Sequence, residues 1–316
     1  MLHLGIDLGG TNVAAAVVDD GGAIVGRAGR ATPRGAGLSE LADAVAEAGR
    51  AAVASAGCTM EAIADAGLGT PGAVEAGSGT VVYCSTFSLH DAPLGPETAR
   101  RLGLPVRLVN DADAAACGEM LCGAGRGVKS LIAVTFGTGI GGGVIVDGRL
   151  LAGCNGAAGE LGHMVIRAGG KPCACGRRGC YERYASATAL IERTREAMEY
   201  APGSALWRLS GGPDGVTGRT AFDAAQSGDA AAQAVVDEYL DDVACGLVNL
   251  VQIFQPERIV LGGGISGQGD ALLGPIRAVL DREDYARHHK KRTELSIAAL
   301  GNDAGLIGAA LIRRFV

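Results

Sequence analysis

A histidine and three cysteines lie between residues 163 and 180, and their types and spacing are those of a closed metal site. They are His163, Cys173, Cys175 and Cys180. Three thiolates and one imidazole suit tetrahedral zinc with no open coordination position, which indicates a structural ion. The glycine-containing stretch 176–179 supplies the tight turn that a metal knuckle needs. The alternatives are three unrelated buried thiols or a disulfide, but the first two cysteines are too close to pair easily and one would be left over.

Two carboxylates flank these metal-binding residues. Glu160 precedes His163 by three residues, so both side chains can lie on one face of a helical turn, and Glu182 follows Cys180 by two. One metal would therefore hold two carboxylates and an imidazole in place. Because each of these groups can accept a hydrogen bond from a hydroxyl, the cluster predicts a binding site for a polyhydroxylated ligand such as a sugar.

Two glycine-rich turns form a second pair of candidate sites. A register shift of 128 residues, which carries residue 7 to residue 135, places Asp7–Thr11 over Thr135–Gly139 and Val17–Asp19 over Ile145–Asp147. An internal repeat of this kind predicts two related domains. Backbone amides of such turns can bind phosphate oxygens, and Asp7 suits Mg²⁺ bound through water. Each turn taken alone could be a plain hairpin, whereas the two together favour a nucleotide site.

Two other glycine patterns have no function in this interpretation. Residues 137–142 match the dinucleotide fingerprint, which requires a helix next, but Val144–Val146 is typical of a strand. We therefore expect no nicotinamide site there. Residues 123–130 are similar to a phosphate-binding P-loop, but Val128 separates the last glycine from Lys129 and Ser130, so that motif fails.

Asn110 and Asp111 lie between a predicted strand at 106–109 and a predicted helix that runs through Met120. Asn110 could simply cap the helix, and Asp111 could simply complement its dipole. With a nucleotide site and a sugar site nearby, Asp111 becomes the candidate base that orients a substrate hydroxyl.

Composition narrows the class of protein. A chain of 316 residues with 48% hydrophobic and 20% charged residues indicates two globular domains, and an apolar fraction with only 4% aromatic residues suits α/β layers. The net charge of −6 argues against a nucleic-acid partner. No apolar run of about 20 residues exists and Asp7 interrupts the first apolar stretch, so we expect neither a membrane segment nor a signal peptide. Cysteines scattered among small residues fit the reducing cytoplasm.

The motifs together resemble those of the ROK family of sugar kinases and repressors, over essentially the whole chain. Asp7–Thr11, Thr135–Gly143 and Gly153–Met164 followed by the cysteine knuckle carry the resemblance, which is greatest to the family's bacterial ATP-dependent glucokinases. It implies an α/β, actin-like ATPase (ribonuclease H-like) fold with two domains, an interdomain cleft and a zinc knuckle. The expected domains are 1–109 plus 303–316, and 110–302. It also implies a homodimer or homotetramer.

The resemblance assigns roles to individual residues. Asp111 falls at the family's catalytic base. The expected substrate contacts are Gly69, Asn110, Asp111, Glu160, His163 and Glu182. The expected nucleotide contacts are Asp7, Gly9, Gly10, Thr11, Asn12, Gly137, Thr138, Gly139, Gly262, Gly263 and Gly264. The expected cofactors are ATP, Mg²⁺ and a structural Zn²⁺, and loss of zinc should disorder the sugar contacts while sparing the turns at Thr11 and Thr138.

The predicted activity is phosphorylation of the 6-hydroxyl of glucose by ATP. Residues 84–93 depart from the asparagine-containing pattern of similar glucokinases, so fructose, mannose or N-acetylmannosamine is the alternative substrate. Polyphosphate is an alternative donor. A non-catalytic sugar-sensing repressor is the alternative of another class, but the first strand is predicted to begin at residue 2, which leaves no room for a helix-turn-helix, and the acidic charge opposes DNA binding.

Overall fold

The computed structural model describes residues Met1–Val316, and the chain divides into two compact units. Unit 1 contains residues 1–133, 143–159 and 298–316, and unit 2 contains residues 134–142 and 160–297. None of the helices combines the length and apolar character that crossing a membrane requires.

The strands and helices are numbered along the chain. The strands are β1 (Leu2–Leu8), β2 (Asn12–Asp19), β3 (Ile24–Ala31), β4 (Ile63–Thr70), β5 (Ala73–Glu75), β6 (Thr80–Cys84), β7 (Leu89–Ala92), β8 (Val106–Asn110), β9 (Leu131–Phe136), β10 (Ile140–Val146), β11 (Arg149–Leu150), β12 (Arg258–Gly262) and β13 (Glu294–Ile297). The helices are α1 (Leu38–Ser55), α2 (Leu94–Leu102), α3 (Asp111–Cys122), α4 (Glu182–Ala185), α5 (Ala187–Tyr200), α6 (Ala205–Ser210), α7 (Thr220–Gln226), α8 (Ala230–Phe254), α9 (Asp270–Glu283) and α10 (Asp303–Ala310).

The two five-stranded sheets have the same strand order. The first runs β3-β2-β1-β4-β8 and the second runs β11-β10-β9-β12-β13. In each sheet the three strands that come first in the chain lie side by side in reverse order, and the two later strands follow them at the other edge. The internal repeat predicted from the sequence is thus confirmed in the sheet topology. The strand β10 directly follows the second glycine turn, at the place where a dinucleotide-binding fingerprint would require a helix.

Helices cover both faces of the first sheet. Its strands carry apolar residues on both faces and have glycines where a helix backbone comes closest. Leu4 and Ile6 are fully buried in the cluster that includes residues of α1. On the other face α10 lies directly on β1 and β4, since a Cβ on Gly5 would be 2.0 Å from the Leu306 carbonyl oxygen. Strands β1, β4 and β8 are parallel, so their carboxyl ends lie at one edge of the sheet.

The helix α3 packs within unit 1, although the sequence placed it at the start of the large domain. A Cβ on Gly118 would be 2.0 Å from the Ala304 carbonyl oxygen, so the two helices α3 and α10 are in backbone contact. The buried Glu119 carboxylate then accepts hydrogen bonds from the amides of Ala299 (3.1 Å) and Leu300 (2.8 Å). Residues 110–133 and 143–159 therefore lie in unit 1, and the predicted folding domains stay a prediction.

The ends of two helices of unit 1 do not follow from residue type alone. Serine is a common helix cap, but Ser39 lies inside the first turn of α1, which is capped at Gly37, whose amide donates to Glu40 (3.0 Å). The helix α10 ends at Ala310, and a 3₁₀ turn at Ile312–Arg314 follows. The strands of the three-stranded sheet β5-β6-β7 are only three to five residues long, which is too short to give a clear sequence pattern.

Candidate active site

The carboxyl edge of the first sheet brings together four predicted site residues. Asp7 in β1 pairs with Gly69 in β4, and Thr70 of β4 pairs with Asn110 at the end of β8. A Cβ on Gly69 would be 3.8 Å from the Asp111 Cα, so glycine leaves this edge open beside the predicted base. Ligands of open α/β sheets bind outside the carboxyl ends of the strands, and this edge is such a place.

Two carboxylates at this edge have raised pKa values. Burial, and secondly the negative charge of Asp111, raise the pKa of Asp7 to about 6. Asp111 is exposed to solvent, yet loss of hydration to the surrounding protein raises the pKa of its carboxyl, opposed by a hydrogen bond from the Ala112 amide (2.8 Å). A nearby cation would stabilise the ionised form of both carboxyl groups and lower their pKa values, so this pair of acids fits the expected Mg²⁺.

Asn110 is a helix cap, and its amide is largely occupied. Its Oδ1 accepts from the amides of Ala112 (2.9 Å) and Asp113 (3.3 Å), and its Nδ2 donates to the Gly72 carbonyl (3.0 Å). The capping role and a substrate contact are compatible, because one N–H of the side-chain amide is left to donate to a ligand.

The first glycine turn joins β1 to β2. The Gly9 amide donates to the Asn12 carbonyl (3.0 Å), which leaves Gly10 and Thr11 exposed at the tip. Thr32, the residue after β3, fixes the turn: its hydroxyl donates to the Gly9 carbonyl (2.7 Å) and its amide donates to the Thr11 carbonyl (2.9 Å). The turn's backbone is therefore held from within the same sheet.

The second glycine turn joins β9 to β10 and is held from elsewhere in unit 2. The Gly137 carbonyl accepts from the Ala187 amide (2.9 Å), and the Thr138 carbonyl accepts from the Thr188 hydroxyl (2.8 Å). A Cβ on Gly139 would lie 2.3 Å from the Glu182 carboxylate oxygen, so this side chain packs directly against the turn. The predicted phosphate turn and a predicted sugar contact are thus neighbours.

The expected adenosine-side turn lies against the end of β9. Gly262 ends β12, Gly263 has a φ of +82°, and Gly264 begins a 3₁₀ turn. A Cβ on Gly263 would be 2.3 Å from the Phe136 carbonyl oxygen, so only glycine lets β12 leave the sheet this close to the second glycine turn. Two predicted nucleotide-binding segments of unit 2 are therefore adjacent.

The predicted metal ligands form one cluster. The donor atoms of His163, Cys173, Cys175 and Cys180 all lie within 4.8 Å of one another. Nδ1 of His163 is 3.7 Å from the Cys173 sulfur, and the sulfurs of Cys175 and Cys180 are 3.6 Å apart. A tetrahedron with zinc–sulfur bonds of about 2.3 Å has sulfur–sulfur edges of about 3.8 Å, so the donor set and its spacing fit structural zinc.

The predicted sugar contacts of unit 2 surround this knuckle. His163 turns Nδ1 toward the sulfurs, and its Nε2 lies 3.9 Å from the Glu160 carboxylate. Glu182 places one carboxylate oxygen 3.7 Å from the Cys173 sulfur, and its other oxygen accepts from the Ile140 amide (3.2 Å). The expected grouping of two acids and an imidazole is present, and Nε2 is the ring nitrogen left to face a ligand.

A group of ion pairs around one buried carboxylate supports the knuckle and was missed from the sequence. Asp242 of α8 is almost fully buried and bonds Arg167 and Arg193, each at 2.6 Å. Arg167 precedes the cysteines and also stacks over the Tyr184 ring, 4.6 Å from its centroid. The available signal was an acidic residue within the apolar stripe of a long helix, where an unpaired charge would be costly.

Two sheets of equal order with glycine turns at their strand ends define the class of protein, the α/β two-domain fold of actin-like sugar kinases. A ROK family glucokinase from Streptomyces griseus, whose structure is known in complex with glucose and AMPPNP, is 36% identical with a TM-score of 0.83 over 99% of both chains. Glucokinase from Thermotoga maritima is 38% identical over 98% of this chain and 96% of its own length. A ROK family transcriptional regulator, a homolog of the E. coli MLC protein, is 25% identical with a TM-score of 0.85, over 99% of this chain and 78% of the regulator.

Residues 3–314 match the ROK family as a whole, and this chain belongs to the ROK family. The family resemblance and the fold class predicted from the sequence are both confirmed. Because the regulator is as similar in fold as the glucokinase, the choice between these activities depends on the site residues.

Proposed function

We propose that this protein is an ATP-dependent glucokinase that transfers the γ-phosphoryl group of ATP to the 6-hydroxyl of glucose. The observation that carries the proposal is the pair of carboxylates at the carboxyl edge of the first sheet, Asp7 and Asp111, in a chain whose most similar relatives include glucokinases. A sensor needs only to bind a sugar, whereas phosphoryl transfer needs a base for the hydroxyl and charge compensation for the phosphates.

In the proposed reaction Asp111 accepts the proton of the sugar 6-hydroxyl as that oxygen attacks the γ-phosphorus and ADP leaves. The raised pKa of the Asp111 carboxyl makes it a better proton acceptor than an ordinary aspartate. Glu160, His163 and Glu182 accept from or donate to the other hydroxyls, and Asn110 donates its remaining N–H. Orientation of the attacking oxygen accounts for much of the rate in such transfers.

We propose that the backbone amides at Thr11 and Thr138 bind the phosphates, and that Gly262, Gly263 and Gly264 contact the adenosine. Mg²⁺ held near Asp7 would neutralise the phosphate charge when bound. Zinc would be held by its three thiolates and His163 and keep the sugar contacts in register, with no position for substrate. Homo-oligomerisation and a cytoplasmic location stay predictions.

Residues 84–93, the segment that departs from the glucokinase pattern, contain the end of β6, the turn that follows it and the strand β7 in unit 1. Ser88 and Asp91 have positive φ angles of 52° and 44°, and the methyl of Thr86 would be 3.1 Å from a Cβ on Gly10. The segment thus contacts the first glycine turn through a residue that differs from the usual pattern. This placement keeps another hexose as the second candidate.

The test is a coupled ADP assay with purified protein, MgATP and a panel of glucose, mannose, fructose and N-acetylmannosamine. We expect glucose to give the highest kcat/KM and the product to carry phosphate on its 6-oxygen by NMR. A higher kcat/KM for another hexose would replace glucose with that sugar. Sugar binding by calorimetry with no turnover of any hexose would favour the sensor and overturn the kinase.

A further inference from the structure

The segment Glu182–Thr188, here called the brace, makes three hydrogen bonds to the second glycine turn and its first following residue. Glu182 accepts from the Ile140 amide (3.2 Å), the Ala187 amide donates to the Gly137 carbonyl (2.9 Å), and the Thr188 hydroxyl donates to the Thr138 carbonyl (2.8 Å). Both carbonyls of the turn before Gly139 are therefore fixed by one short segment.

The brace is itself fixed by the body of unit 2. Ser186 separates α4 from α5 and caps α5 by accepting from the Ala189 amide (3.1 Å). The buried Tyr239 of α8 donates its hydroxyl to the Ala185 carbonyl (2.9 Å), and Tyr184 is buried beside it. Because the brace is anchored independently of the turn, it can impose a conformation on the turn.

The brace begins at the metal knuckle. Glu182 follows the ligand Cys180 by two residues, and the intervening Tyr181 donates its amide to the Met164 carbonyl (2.7 Å), next to the ligand His163. One oxygen of Glu182 faces the Cys173 sulfur (3.7 Å) while the other holds the Ile140 amide. A single carboxylate thus links the metal site to the turn.

We propose that the brace sets the second glycine turn in the conformation that binds nucleotide phosphate, with Thr188 as a positioning residue, so that the zinc knuckle supports ATP binding as well as sugar binding. The inference rests on the proposed role of the Thr138 turn in the proposed kinase. A turn that contains two glycines has many accessible conformations, and each hydrogen bond to its carbonyls removes some of them before the ligand arrives. The hydrogen bond from the Thr188 hydroxyl is the one to test, because a side-chain substitution can remove it without changing the backbone.

The experiment compares Thr188→Val, which keeps the shape and loses the hydroxyl, with Thr188→Ser, which keeps the hydroxyl. Thr194→Val is the matched control, because Thr194 lies in the same helix and its hydroxyl donates to the Leu190 carbonyl of that helix (2.7 Å). For Thr188→Val we expect the Kd and KM for MgATP to rise about threefold to tenfold, the range of one lost hydrogen bond. The Kd for glucose, measured without nucleotide, should stay at the wild-type value.

Restoration of MgATP affinity in Thr188→Ser, with wild-type affinity in Thr194→Val, would support positioning by the hydroxyl. Unchanged MgATP affinity in Thr188→Val, or an equal loss of glucose affinity with a lower melting temperature, would overturn it. If wild-type protein binds MgATP yet phosphorylates no hexose, the proposed kinase fails while the Thr188 comparison still decides the inference, so the two failures are distinguishable.

Discussion

The two glycine turns occupy equivalent positions in two sheets of equal strand order, and the same pair of groups holds each of them. One backbone amide and one threonine hydroxyl donate to the turn carbonyls in both cases. In the first turn both donors belong to Thr32, next to β3 of the same sheet. In the second they belong to Ala187 and Thr188, which follow the metal knuckle. We infer that the hydrogen bonds that fix the first turn depend on its own sheet, whereas those that fix the second depend on the metal site.

The turns also differ in charge. The 128-residue shift places Asp7 over Thr135, whose hydroxyl donates to the Gly141 carbonyl (3.3 Å). The first turn therefore carries its carboxylate in its own strand, while the second receives one from Glu182 in the brace. We therefore propose that the acid–base and cation chemistry belongs to unit 1, and that the metal-supported ligand contacts belong to unit 2.

The largest expected effect tests whether that chemistry belongs to unit 1. Asp111→Asn should lower kcat by about 10²–10⁴, the usual contribution of a positioned base, because an amide cannot accept the proton. Glucose affinity by calorimetry should change little, since the amide keeps an acceptor oxygen. Asp147→Asn is the control, because Asp147 is an exposed turn residue with a φ of +50°, which asparagine tolerates. Retention of more than about a tenth of wild-type kcat in Asp111→Asn would rule out this base.

The second effect tests the dependence of unit 2 on zinc. Cys175→Ser should lower the zinc content and weaken glucose binding by about tenfold or more, as expected when the support of a liganding group is lost. The sequence alone predicted that MgATP binding would be spared. The brace leads to a different expectation, a loss of MgATP affinity of about threefold to tenfold as well, because Glu182 and Thr188 move with the knuckle.

Metal content, circular dichroism and separate glucose and MgATP titrations would check this expectation. Cys154→Ser, a change at an exposed cysteine outside the metal set, should keep zinc and both affinities. A folded, zinc-depleted Cys175→Ser protein with full glucose affinity would remove the link between metal and sugar. Weak glucose binding with wild-type MgATP affinity would agree with the expectation from the sequence alone and would contradict the proposed role of the brace.

The sequence was sufficient to predict those sites whose residues are close together along the chain. Cys173, Cys175 and Cys180 with His163 could be assigned to one metal because metal ligands must be of particular types at short spacing. The cap at Asn110 and the repeated turns were also readable from nearby residues. These features were then found where expected.

Supports that come from distant residues could not be predicted. Thr188 is an ordinary threonine within a helix, and its bond to Thr138 follows only from how α5 meets the sheet. The burial of Asp242 between two arginines likewise depends on the packing of α8. The contact between α3 and α10 could not be predicted for the same reason, because the glycines that let the two helices meet gave no sign of their partner.

The third expected effect is a change in the stability of the folded protein on substitution of Asp7. Its pKa is about 6 in the folded protein and 3.8 ordinarily, so between these values the folded protein binds more protons and its free energy of unfolding falls as pH rises. Asp7→Asn removes this dependence. In magnesium-free buffer without nucleotide, the variant should be more stable than wild type by about 1–3 kcal/mol at pH 7.5, and the difference should vanish near pH 4.

Urea unfolding at several pH values would measure this difference, and effects of acid on the zinc ligands cancel because both proteins share them. The same substitution should raise the Mg²⁺ concentration needed for half-maximal turnover, since the carboxylate is lost. Equal stability of the two proteins at pH 7.5 would show that Asp7 is not strained, and an unchanged magnesium titration would show that it does not serve the cation.

The smallest expected effect is at Thr32, the counterpart of Thr188 in the first turn. Thr32→Val removes the donor to the Gly9 carbonyl and should raise the Kd for MgATP about threefold to tenfold, and Thr32→Ser should restore it. The decisive measurement is made after zinc depletion. Zinc depletion should weaken MgATP binding by the same factor in Thr32→Val as in wild type, because the two perturbations act on different turns and independent effects add in free energy. In Thr188→Val the loss on zinc depletion should be smaller, since the same brace contact has already been removed. If Thr32→Val and Thr188→Val responded identically to zinc depletion, the two turns would not be supported independently, and the distinction between them would fail.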